Sequence, residues 1–178
     1  MPRLFAVQVM LLSALLLNAA FHDANAQQRK SGESRQFSTA QERLGGLSLG
    51  LPEKDIPASL PCPPTKSRET YEGATGDYVQ TWKFPACGVV LKMSSAKPGG
   101  AKQIADITVT RPSALATARG IRIGSTEREV LEAYGRYRDR EGASKKGRNF
   151  VAGSIYDGLM FEFRDGEVVR IFLGAAAE

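Results

Sequence analysis

"GIRIGSTEREVLEAYG" (Gly120–Gly135) decides how this chain is read, because an earlier stretch, "GLSLGLPEKDIPASL" (Gly46–Leu60), lies over it at a spacing of 74 residues. Both run glycine, apolar, any, apolar, glycine, and then a helix start, with apolar residues recurring at Ile56 and Val130. In the later stretch Thr126 followed by Glu129 has the pattern of a capping box. Val130 and Tyr134 fall on one helix face at i and i+4, and Gly135 reads as the stop. In the earlier stretch Pro52 suits a first turn. Pro57 falls where an interior amide should donate, so that helix must be short or kinked.

The correspondence continues past the helices. "GVVLKM" (Gly88–Met93) lies over "GLMFEF" (Gly158–Phe163), and "IADITV" (Ile104–Val109) over "VVRIFL" (Val168–Leu173). Val89 matches Leu159, Leu91 matches Phe161 and Met93 matches Phe163. Ala105 then matches Val169, Ile107 matches Ile171 and Val109 matches Leu173. The order is the same and the strand parity is the same. This predicts an α+β chain of two tandem units, 44–112 and 113–178, each a helix on an antiparallel sheet. At the same spacing of 74 residues Trp82 aligns with Tyr156, on the core side.

Parity also suggests a register for the second unit. "YDGL" reads as a two-residue turn, Asp157-Gly158, pairing Tyr156 with Leu159. A three-residue loop, Arg164 to Gly166, pairs Phe161 with Val169 and Leu159 with Ile171, keeping charge off the apolar face. Leu159, Phe161, Val169, Ile171 and Leu173 then face the helices. Met160, Glu162, Arg164, Val168, Arg170 and Phe172 face the other way. A sheet covered on one side should be polar on its outer face. Methionine and an aromatic among arginines there fit a protein-binding face, for which Met160, Glu162, Arg164, Arg170 and Phe172 are the candidate contacts.

The first 26 residues stand apart. Arg3 precedes an apolar run, Leu4 to Leu17, and Ala24-Asn25-Ala26 has the small-x-small form of a signal peptidase site, with the cut after Ala26. A membrane span needs about 20 apolar residues, and Asn18, His22 and Asp23 end the run too early. No cysteine follows it, against a lipid anchor. Residues 27–43 are polar, with Phe37 as their one aromatic, and read as a flexible tether. The expectation is a periplasmic or secreted protein of 152 residues with no transmembrane anchor.

Several chemistries are excluded by what is missing. The one histidine, His22, leaves with the signal peptide. That removes the usual serine and cysteine nucleophile designs and the histidine-based metal sites. No GxxxxGK[ST] or GxGxxG stretch is present, and no cofactor or metal is expected. Glu127, Glu129, Glu132 and Glu162 could serve carboxylate chemistry, but they form no convergent pair, so no catalytic residue is assigned. Cys62 and Cys87, an even count in an oxidising compartment, suggest a disulfide; the alternative is two buried thiols. A link across 25 residues would stabilise by roughly 3 to 3.5 kcal/mol in the chain-entropy model.

The net charge is +5, and "RYRDREGASKKGRNF" concentrates Arg136, Arg138, Arg140, Lys145, Lys146 and Arg148. The run is either a solvated loop, partly neutralised by Asp139 and Glu141, or an anion-binding patch. In the cell envelope such anions would be lipid headgroups, lipopolysaccharide or wall polymers. The export signal disfavours nucleic acid.

The Gly-apolar-x-apolar-Gly-x-[ST] pattern, its acidic helix start and its Tyr-Gly end resemble the β-lactamase inhibitor protein superfamily. They also resemble the small lipoprotein of the outer-membrane β-barrel assembly machine. The resemblance covers roughly Leu44 to Gly174 and implies a helix pair on an antiparallel sheet, in tandem. It further implies a disulfide from the segment after a helix to a following strand, as Cys62 and Cys87 would make. The lipoprotein's lipidated cysteine and the inhibitor's second disulfide have no counterpart here, and no inhibitory residue carries over. The expected function is a non-enzymatic protein that binds another envelope or secreted protein through its sheet face. The alternative is envelope anion binding through residues 136–148.

Overall fold

The computed structural model describes residues 37–139 and 148–176. The expected signal peptide, tether residues 27–36, and Arg140, Glu141, Lys145 and Lys146 of the basic run lie outside the described residues. No helix among the described residues is long and apolar enough to cross a membrane.

Alternating apolar residues build one antiparallel sheet of eight strands. These are β1 (Thr65–Lys66), β2 (Thr70–Glu72), β3 (Asp77–Phe84), β4 (Val89–Ser95), β5 (Gln103–Thr110), β6 (Asn149–Gly153), β7 (Gly158–Arg164) and β8 (Glu167–Gly174). The order is β1-β3-β4-β5-β8-β7-β6, with β2 also on β3. Strands β3–β4–β5 and β6–β7–β8 are thus two meanders that meet where β5 pairs with β8. Helix α1 (Glu127–Tyr134) packs on one face of the sheet, and the fold is α+β, α1 being the one helix longer than a single turn among the described residues.

Local chemistry explains both helical segments. Thr126 caps α1: the Glu129 N–H donates to Thr126 Oγ1 at 3.3 Å, and the Thr126 N–H donates to Glu129 Oε2 at 2.6 Å. Val130 and Tyr134 are its buried residues. Gly135 does not stop the chain in a left-handed cap; it keeps right-handed helical angles and leads into a 3-10 turn, Gly135–Tyr137. In the earlier stretch, a 3-10 turn (Glu53–Asp55) and one helical turn (Ile56–Ser59) are all that forms around Pro57. The helix pair implied by the resemblance is therefore not present among the described residues.

The two meanders share register in detail. In the first, Val89 faces Val109, Leu91 faces Ile107 and Met93 faces Ile104, with a bulge between Lys92 and Met93. In the second, Leu159 faces Leu173, Phe161 faces Ile171 and Phe163 faces Val168, with a bulge between Glu162 and Phe163. The extra residues are Ala105 and Val169. Where β5 meets β8, Ile107 faces Leu173 and Val109 faces Ile171, a pairing that maps onto itself when the halves are exchanged. The lead-ins agree as well. The Gly50 N–H donates to the Ile104 carbonyl at 2.8 Å and the Ile104 N–H to that of Leu51 at 3.0 Å. The Gly124 N–H donates to the Val168 carbonyl at 2.8 Å and the Val168 N–H to that of Ser125 at 2.8 Å.

This register corrects the one expected from parity. The β7–β8 loop is the two-residue one, Asp165–Gly166, with both residues at positive φ (53° and 79°), as a type I′ turn requires. Charge stays off the core because the extra residue Val169 shifts the pairing by one, so that Phe161 faces Ile171 rather than Arg170. Val168 is consequently buried in the core and Val169 is half-buried. The turn before β7 is also longer than expected: Gly153 faces Gly158, and the N–H groups of Tyr156 and Asp157 donate to Ser154 Oγ within the loop. Trp82 is buried as expected. Its counterpart by register is Phe150, not Tyr156, since Trp82 faces Leu91 and Phe150 faces Phe161.

Phe37, seven residues before Leu44, already packs into the fold. Phe37 meets Tyr134 and Tyr137 edge-on, at centroid distances of 6.4 and 5.8 Å. The Thr39 hydroxyl donates to Asp157 Oδ1 at 2.6 Å. Glu42 is buried, its Oε1 accepting from the Ala118 N–H at 2.7 Å and its Oε2 from the Tyr134 hydroxyl at 2.8 Å. Burial, and then the Glu42 carboxylate beside it, push the Tyr134 phenol well above its ordinary pKa. These contacts hold residues 37–43 against the helix side, so this end of the expected tether belongs to the fold.

Candidate functional site

The helix side of the sheet is occupied by the core, so exposed chemistry gathers on the other face. Alternation sends Val90, Thr108, Phe172, Met160 and Val151 to that outer face. Register places them side by side: Val90 faces Thr108, Thr108 faces Phe172, Phe172 faces Met160, and Met160 faces Val151. The result is one row crossing five strands, roughly 19 Å long at the usual strand spacing. Val90, Thr108, Met160 and Phe172 are half-buried, and Val151 closes the row as a buried residue.

Polar rows border it. On one side Thr110 faces Arg170, Arg170 faces Glu162 and Glu162 faces Asn149. The Arg170 guanidinium lies 5.7 Å from the Phe172 ring centroid, so the cation rests on the row itself. On the other side Lys92 faces Asp106, and Lys92 Nζ is 2.8 Å from Glu72 Oε1. The Lys92 ammonium holds the Glu72 carboxyl below the usual carboxylate range. Beyond Asp106, Gly174 faces Gly158 and Gly158 faces Gly153, a strip without side chains. A Cβ at Gly174 would come within 2.6 Å of the Asp106 Cβ, so this position needs glycine.

All five expected contacts lie on this face. Met160 is opposite Phe172, Glu162 is opposite Arg170, and Arg164 stands at the hairpin end opposite Glu167. Val168, expected beside them, is in the core because of the bulge. Val90, Thr108 and Val151 were not among the expected contacts. The alternation within "GVVLKM" and "IADITV" was the signal for the first two, read there only for its core side.

The other expected sites come out differently. Of the basic run, Arg136 lies over the Tyr137 ring at 4.6 Å and Arg138 over the Phe150 ring at 5.6 Å, while Arg148 is exposed beside β6. Cys62 and Cys87 are joined as a disulfide. Glu129 is committed to the cap, and the Thr126 N–H lowers its carboxyl pKa. Glu132 sits 3.9 Å from Arg128 on the exposed side of α1, whereas Glu162 lies across the sheet. The described residues hold no cluster of three histidine, cysteine or acidic side chains that could bind a metal. Compared with known proteins, the chain matches no protein family, no curated protein and no solved structure.

Proposed function

We propose that this chain is an exported, non-enzymatic binding protein that captures another envelope or secreted protein on the outer face of its sheet. The observation that carries the reading is the row from Val90 through Phe172 and Met160 to Val151, bordered by Arg170, Glu162, Lys92 and Asp106. An apolar centre with a charged rim and an arginine stacked on the central aromatic is the composition of a protein interface. Export rests on the N-terminal pattern ending at Ala26, and places the protein in the periplasm or outside the cell.

We further propose that the chain is a tandem of two units related by duplication, built like the β-lactamase inhibitor proteins. Matched bulges at Ala105 and Val169 and matched lead-in hydrogen bonds at Gly50 and Gly124 support this. A bulge is a local irregularity, and two at corresponding positions are hard to obtain from unrelated strand pairs.

The test of the binding face is capture from envelope extract. Met160→Asp with Phe172→Asp should abolish capture of the partner and leave the thermal melt nearly unchanged, because both residues are only half-buried. Capture that survives the double substitution would refute the assignment. N-terminal sequencing of the chain recovered from the envelope should begin at Gln27.

A further inference from the structure

A second opening lies on the helix side of the first half, across the sheet from the proposed protein-binding face. It is a cleft of 360 Å³ lined by Ile56, Leu60, the Pro61–Pro64 segment, Trp82 and Phe84. Its origin is in the chain. Pro57 leaves room for only one helical turn, and Pro61, Pro63 and Pro64 then favour extended backbone. The Cys62–Cys87 disulfide ties that extended run to the 3-10 turn Pro85–Cys87 that follows β3. In the proposed duplication, Leu60 stands where the second half has Tyr134. There Tyr134 covers Phe161, and Phe37 packs against Tyr134. The second half is filled by two aromatics where the first is open; this comparison alone rests on the duplication.

A charge stands beside the cleft on Lys66, which faces Trp82 across β1 and β3 and is not itself a lining residue. Lys66 Nζ lies 3.4 Å from the centroid of the Trp82 ring, and Lys66 forms no ion pair among the described residues. An ammonium over the Trp82 ring, at the border of an apolar cleft, complements a ligand with an apolar body and a single anionic end. We propose that the cleft binds an aliphatic monocarboxylate, its chain against Ile56, Leu60 and Phe84 and its carboxylate at Lys66. A neutral chain lacks the contact to Lys66, and a short acid lacks the burial.

Trp82 is the one tryptophan of the chain, so its emission reports on the cleft without a label. The purified chain is titrated with octanoate, and with 1-octanol and acetate as matched probes. Octanoate should shift Trp82 emission saturably and acetate should not. 1-Octanol should bind about threefold more weakly, the scale of an exposed charge pair. Lys66→Gln should bring octanoate down to the level of 1-octanol. Leu60→Tyr, which installs the second half's residue, should block both. If that variant does not fold, chemical-shift changes caused by octanoate in the native chain decide instead, and should be confined to residues 56–66 and 82–84. No saturable response to octanoate, equal affinities for octanoate and 1-octanol in the native chain, or shifts centred elsewhere would overturn the proposal. None of these results touches capture through Phe172, which is on the opposite face.

Discussion

Replacing Tyr134 by phenylalanine removes one oxygen from a buried site and leaves the ring contacts in place. The side chain is 0% exposed, and its hydroxyl donates to Glu42 Oε2 at 2.8 Å. A hydrogen bond to a carboxylate contributes about 1.5 to 3 kcal/mol. The Glu42 oxygen left behind has no route to solvent, since Glu42 is 4% exposed, so the upper half of that range is the expectation. A domain of this size loses about 2 to 4 °C of Tm per kcal/mol, which gives a fall on the order of 5 to 12 °C. The substitution also removes a titration. The folded phenol ionises well above its ordinary value because it is buried and faces Glu42. Above pH of about 10 the unfolded chain releases a proton that the folded chain retains, so stability drops by up to about 1.4 kcal/mol per pH unit. This contribution is fully present below the unfolded pKa and disappears as pH rises toward the folded one. Urea unfolding at neutral pH and in steps from pH 9 to 11 measures both effects. Tyr134→Phe should be weaker at neutral pH and should have a shallower alkaline decline than the native chain. Equal stability at neutral pH, or parallel alkaline declines, would refute the reasoning.

The bulge makes neighbouring valines unequal: Val168→Asp should prevent folding by burying an unpaired charge, while Val169→Asp should be tolerated, as read by circular dichroism. The reverse outcome would return the register to simple alternation. Replacing Cys62 and Cys87 together by serine should lower unfolding free energy by roughly 3 kcal/mol in urea, with the native chain under reductant falling to the same level.

Much of the frame could be read from matched strings. Val89 with Leu159, Leu91 with Phe161 and Ile107 with Ile171 all fall at equivalent core positions, because strand parity is enforced by burial. The bulges escaped because Ala105 and Val169 carry no residue signature and fit the alternation on either side. Without the bulge, two-residue pairing at Asp165–Gly166 places Arg170 on the core. Glu42 escaped for another reason. Its neighbours are polar, and the groups that satisfy its carboxylate, the Ala118 N–H and the Tyr134 hydroxyl, lie 76 and 92 residues along the chain. Local composition carries no information about partners at that distance. The binding row is half legible, since turn signals at Asp157-Gly158 and Asp165-Gly166 suggest a register only in the second half.

The row and the cleft arise from the proposed duplication in opposite ways. The row depends on joining. Val90 and Thr108 come from the first half, while Phe172, Met160 and Val151 come from the second, and only the β5–β8 pairing aligns them. A single unit would present only two or three of the five row residues and an open strand edge, which invites unspecific pairing. Joining covers the β5 and β8 edges and completes the face, so the proposed binding there would belong to the pair rather than to either half. The cleft depends on divergence. It lies where the first half has Pro57 and Leu60 and the second has a continuing helix and Tyr134, and the second half, filled by Tyr134 and Phe37, does not offer it. Substitutions in the row and in the cleft act on opposite sides of one sheet with no shared side chain. Their effects on stability and on binding should therefore add, and a Phe172→Asp, Lys66→Gln double variant should lose partner capture and octanoate preference by the same amounts as the single variants do. Coupling between them would mean that the sheet transmits one site to the other, and the two surfaces would then have to be treated as one device.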